Sequence, residues 1–86
     1  MAKINLTKVQ IPDIEGNISE ENMCKQFGDM IFNNAQDIVE HELSIKLYHA
    51  TGEVELNADE LKAVKKYADA INLYRVRKAV QEAIID

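Results

Sequence analysis

The last third of the chain, Leu56 to Asp86, contains neither glycine nor proline and carries two helical apolar stripes that are out of phase with each other. Leu61, Val64, Ala68 and Ile71 follow a 3-4-3 spacing, which gathers them on one helical face. Leu73, Val76, Val80 and Ala83 repeat the spacing from a new origin. A single helix from Ala58 to Ile85 would be about 42 Å long, more than a domain this small accommodates. The phase change therefore predicts two helices with a bend or break near Asp69-Ala70-Ile71-Asn72. Asn57 is an N-cap candidate, and Glu60 completes a capping box three residues later.

The remainder reads as less regular. Ile4 to Ile11 is rich in β-formers, which predicts a strand from about Lys3 to Ile11, ended by Pro12. Glu15-Gly16-Asn17 supplies turn residues, and Ile18 begins a short return strand, so residues 1–18 read as a β-hairpin. Ser19 then offers an N-cap, with Glu20 and Glu21 at the positive end of a helix dipole. Met23, Phe27, Met30 and Ile31 form that helix's stripe, with Gly28 inside it. Asn34 and Asp37 suggest a second capping pair. Ile38 to Ala50 makes the next helix, apolar around more than half its circumference, with Gly52 as its C′ residue. Glu53-Val54-Glu55-Leu56 alternates and suits either a short strand or an extended linker.

The expected fold is α+β and mostly helical, one domain over residues 1–86. An N-terminal β-hairpin precedes three to four packed helices: two over 19–50 and a helical C-terminal block over 57–85. Its expected core is Ile4, Leu6, Phe27, Ile31, Leu43, Leu47, Leu61, Val64, Val76 and Val80. With no Trp, three Tyr and two Phe, aliphatic side chains must supply most of that core.

Charge and cysteine content narrow the function classes. A net charge of −5 disfavours non-specific nucleic-acid binding, which needs many phosphate-neutralising cations. Cys24 is the single cysteine, so neither an intrachain disulfide nor a cysteine-based metal site is expected. The opening residues lack the apolar run of a signal peptide, and no stretch approaches about 20 apolar residues. The expected location is cytoplasmic, without membrane contact.

No catalytic, metal or cofactor residues emerge. His41 and His49 are two helical turns apart, too far for one metal ion, and read as exposed histidines on an acidic helix. The alternation Asp13, Glu15, Asn17, Ser19, Glu21 resembles a calcium loop but puts Gly16 fourth and Cys24 twelfth, where an EF-hand needs glycine sixth and glutamate twelfth. Cys24 lacks a nearby histidine and has Glu20 and Glu21 before it, so it reads as a core residue. A small-molecule substrate is not indicated.

Charge is unevenly spread along the chain. Residues 1–56 carry four lysines against ten acids, and residues 57–86 carry six cations against five acids. Lys62, Lys65, Lys66, Arg75, Arg77 and Lys78 cluster there, interleaved with Tyr67 and Tyr74, and form the candidate partner-binding set. Their partner would be a protein or a second copy of the chain; the alternative is a small nucleic-acid-binding regulator that uses the basic face of two helices.

Several short motifs also resemble a type of small phage- and prophage-encoded protein. They are Ala2-Lys3-Ile4-Asn5-Leu6-Thr7, Asp13-Ile14-Glu15-Gly16-Asn17, Ile45-Lys46-Leu47-Tyr48, Gly52-Glu53-Val54-Glu55-Leu56, and Lys78-Ala79-Val80 with Ala83-Ile84. That resemblance implies a non-enzymatic assembly or accessory role among virion genes, and brings no catalytic residues with it.

Overall fold

In the computed structural model, which describes residues 2–85, the N-terminal segment is two strands with different partners. β1 (Ala2–Asn5) lies at the centre of an antiparallel sheet. β2 (Val9–Pro12) forms a separate hairpin with β3 (Ile18–Glu21). The continuous strand expected over Lys3–Ile11 is interrupted because Asn5 Oδ1 accepts a hydrogen bond from the Thr7 amide at 3.0 Å, an Asx turn that redirects the chain.

The hairpin turn falls where the sequence placed it. Asp13 Oδ1 accepts from the amides of Glu15 and Asn17, each at 2.9 Å, and Gly16 takes a φ of 88°, a conformation favouring glycine. Beyond the turn, β3 runs to Glu21, so Ser19 pairs with Ile11 in the ladder and caps no helix. The reason is register: pairing back to Val9, the start of β2, occupies residues up to Glu21. α1 (Cys24–Asn34) consequently starts later than expected, with Asn22 Oδ1 accepting from the Cys24 amide at 3.0 Å.

α2 (Ile38–Tyr48) is capped by Asp37, whose side chain accepts from the Glu40 amide at 2.8 Å. Gly52 is not its left-handed C′ residue, since Gly16 is the one glycine with positive φ among the described residues. The segment after it is a strand, β4 (Glu53–Leu56), antiparallel to β1. Val54 and Leu56 are buried while Glu53 and Glu55 face out, and Lys3 reaches Glu53 at 3.3 Å. α3 (Ala58–Asp69) opens with the expected capping box, the Asn57 side chain accepting from the Glu60 amide and Glu60 from the Asn57 amide.

The amides of Ala70 and Ile71 bond back to the carbonyls of Tyr67 and Ala68, closing α3, and α4 (Tyr74–Glu82) begins in a new phase. The helical block ends at Glu82, short of the expected Ile85. Ala83 closes α4 through bonds to the carbonyls of Ala79 and Val80, and β5 (Ile84–Ile85) completes the sheet in the order β4-β1-β5. Two consecutive β-branched residues beside the free edge of β1 favour strand over helix.

Eight of the expected core residues are buried, and Leu61 and Val76 are partly covered. The core also takes in Val9, Met23, Cys24, Val54, Leu56, Tyr67 and small alanines of α3 and α4. Gly28 lies in the α1–α2 contact, where an added Cβ would stand 2.9 Å from Tyr48 Cβ. No helix among the described residues is long and apolar enough to cross a membrane.

Candidate functional site

The six cations singled out from the sequence occupy several different surroundings. Lys66 is ion-paired with Glu40 across the α2–α3 seam, and its ammonium lies 4.8 Å from the centre of the Tyr67 ring. Lys62 borders a polar depression at the same seam, beside Asp37 and Asp59. Lys65 borders Asp69, Gln81 and Ile84 where α3 meets α4. Arg77 donates to the Ile71 carbonyl at 3.2 Å and sits over Tyr74, stabilising the α3–α4 turn. Arg75 faces a cleft on the hairpin side, and Lys78 is exposed. α3 and α4 thus do not bring the six onto one continuous face.

Glu40, absent from the candidate set, is the buried acid among the described residues. Its Oε2 accepts from Lys66, and its Oε1 accepts from the Tyr67 hydroxyl at 2.7 Å and the Gln36 amide at 3.1 Å. The Tyr67 oxygen also lies 2.9 Å from the Asn34 carbonyl, so its single proton is shared between two acceptors. Hydrogen bonds from Lys66 first, then Tyr67, hold the Glu40 carboxyl at about 2, outweighing the opposing effect of burial. Burial raises the Tyr67 hydroxyl, and its bond to Glu40 adds to that. The cluster joins α2 to α3 through the Lys66 and Tyr67 bonds to Glu40. Its signal was available: Glu40, Leu43, Ser44 and Leu47 share one buried stripe of α2, where a charge requires a partner.

The other residues considered for chemistry are placed less favourably for it. Cys24 is buried, and burial raises its thiol, which suppresses the reactive thiolate. His41 is half-covered rather than fully solvated, its ring 5.1 Å from that of Phe32. His49 is exposed, edge-on to Tyr48. Among the described residues no group of three or more His, Cys, Asp or Glu is placed to hold a metal ion.

The most coherent surface feature is an open cleft of about 600 Å³ between the β2–β3 hairpin, α1 and the α3–α4 turn. Its floor is apolar: Met23 just before α1, Phe27 and Met30 from α1, Ile71 and Val76 from the turn and α4. Register explains the hairpin wall. Ile11 pairs with Ser19 and Val9 with Glu21, so these four side chains share one face, while Ile18 and Glu20 lie on the other. Asp13, Glu21, Asn72 and Arg75 give the cleft polar lining groups, and Leu73 stands at it with 62% of its surface exposed. Apolar floor with a few polar groups is the composition of a recognition site. The break between α3 and α4 creates it, because Leu73 precedes the first turn of α4 and has no helix to pack against.

No protein-family model, curated protein or solved structure matches this chain.

Proposed function

We propose that this chain is a non-enzymatic protein-binding module, an accessory or assembly factor of phage or prophage origin, that receives an apolar segment of a protein partner in the cleft beside the β2–β3 hairpin. The observation that carries this reading is the exposure of Leu73 at the mouth of a cleft floored by Met30, Ile71 and Val76. Leaving such side chains in water costs stability that covering them would recover, roughly 25 cal/mol per Å² of apolar area. The distribution of the cations supports the same choice. Lys66 and Arg77 are engaged within the fold, which removes two of the six from a basic face for nucleic acid. The origin rests on the resemblance of short motifs such as Gly52-Glu53-Val54-Glu55-Leu56 to phage-encoded proteins.

The test is a photo-crosslinking amino acid placed at Leu73, with the same group at Glu42, an exposed α2 position outside the cleft. One defined protein crosslinked from Leu73, and lost when Ile71 is changed to Glu in the same chain, is the expected result. Crosslinks of equal yield from Glu42, or none from Leu73, would refute the assignment. A crosslink from Leu73 to a second copy, together with a dimer in sedimentation, would make the partner the chain itself.

A further inference from the structure

We infer that the partner segment binds as an added β-strand along the free edge of β3, with cationic and apolar side chains alternating along it. This rests on the protein-binding reading of the cleft and adds to it the chemistry and conformation of the occupant. β3 has one ladder partner, β2, and among the described residues no other backbone hydrogen bond involves residues 18–21. A full row of backbone donors and acceptors is therefore open to a further strand, the basis of strand-addition recognition. The other sheet edges are less available: β5 spans two residues, the β4 carbonyl of Glu55 already accepts from Lys46 at 2.9 Å, and β2 packs against α4 and ends in Pro12, which has no amide donor.

The geometry joins this edge to the cleft. Side chains directly across a ladder share a face, and Ser19 and Glu21 are on the face that lines the cleft. Alternate side chains of an added strand would stand on that same face, above the apolar floor. The intervening ones would stand beside Ile18 and Glu20 on the other face. Apolar groups suit the first set.

Charge selects the second set through Glu20, which shares its face, with Asp13, Glu15 and Glu21 adding an acidic surround, and argues against a second copy as occupant. Asp13, Glu15, Glu20 and Glu21 lie within nine residues that hold no cation. All four are exposed, and none forms an ion pair with a described residue. Two copies of β3 pairing edge to edge would crowd four glutamates into one short ladder with no cation among them, and like charges this close destabilise it. A Lys- or Arg-bearing strand turns the same acids into attractive neighbours. Edge glutamates thus reject self-pairing while admitting a basic partner.

The test uses the full chain, labelled at amides and methyls for NMR, and a short capped peptide of alternating Val and Lys, with a Val and Glu counterpart as control. The Val/Lys peptide should shift the amides of residues 18–21 and the methyls of Met30, Ile71 and Val76. Its affinity should fall by about tenfold or more in the double variant Glu20→Lys, Glu21→Lys, and fall with added salt as screening predicts. These acids are exposed, and unchanged spectra for α2 and α3 establish that the variant is folded; the milder Glu20→Gln should weaken binding to a smaller degree. Movement of the methyls without the β3 amides would refute strand addition and leave the cleft reading standing. No movement with either peptide at millimolar concentration would refute both. Equal binding of the Val/Glu peptide, or a dimer that the peptide dissociates, would overturn the choice of a basic partner.

Discussion

Replacing Gly28 by Ala should destabilise the protein, although the same change in an isolated helix is favourable by about 1 kcal/mol. The Cβ added at Gly28 would lie 2.9 Å from Tyr48 Cβ, 3.0 Å from the Ser44 carbonyl oxygen and 3.0 Å from Tyr48 Cα. Carbon atoms in ordinary contact sit about 3.5–4.0 Å apart, so α1 and α2 must separate by several tenths of an ångström. None of the three obstructing atoms can be removed by a rotamer change, since two are backbone and the third is the first atom of a side chain. Overpacking of this kind costs about 1–3 kcal/mol, and the rigidity of these neighbours favours the upper half of that range. Net of the propensity gain, the expected loss is about 1–2 kcal/mol. With a urea slope of about 1 kcal/mol/M for a chain this small, the unfolding midpoint should fall by about 1–2 M at unchanged slope. Gly52→Ala is the matched control, because a Cβ there meets nothing within 4 Å and its φ is not positive. A Gly28→Ala protein at least as stable as the parent would refute the close approach of α1 to α2.

Three further outcomes follow from the same structure. Glu40, ordinarily at 4.5 and held at about 2 in the fold, contributes stability fully present above 4.5 and lost as pH falls from there toward 2. Denaturant midpoints measured across that window should show an acid-induced loss that is smaller in Glu40→Gln, whose overall stability is lower; equal acid sensitivity in both proteins would contradict the assignment. Asn57→Ala removes half of the capping box and should cost about 1 kcal/mol, with faster amide exchange in the first turn of α3 as the local signature. The Cys24 thiol should react slowly with a thiol reagent in the native protein and rapidly in denaturant, and rapid native labelling would place Cys24 outside the core.

The helical half of this fold could be read from local spacing because its signals are local. Asn57 and Glu60 are three residues apart, and each 3-4-3 stripe centres on one helix, with Ile71, Leu73 and Ala83 just beyond the helix ends, so the capping box, α3, α4 and the break between them follow from nearest-neighbour chemistry. The turn at Asp13–Asn17 was legible for the same reason. Strand partners were not. Residues 2–12 carry β-formers throughout, yet β1 and β2 belong to different sheets, and that division depends on β4 and β5, which pair with β1 across 48 or more residues. The start of α1 moved for the same cause, since Ser19 has the composition of a cap but the ladder to Ile11 claims it.

Site formation divides along the same line. Composition shows which side chains are cationic, acidic or apolar, and periodicity shows which share a helix face. Whether Lys66 is a surface charge or the counterion of Glu40 depends on how α2 is set against α3, a contact between residues 26 apart. The cleft likewise has no counterpart in any one segment: the hairpin, α1 and the α3–α4 turn each contribute one wall. Local sequence chemistry selects helix, turn and cap because those bonds close within a few residues. Ladders, buried ion pairs and clefts close between distant segments, and packing alone determines which segments meet.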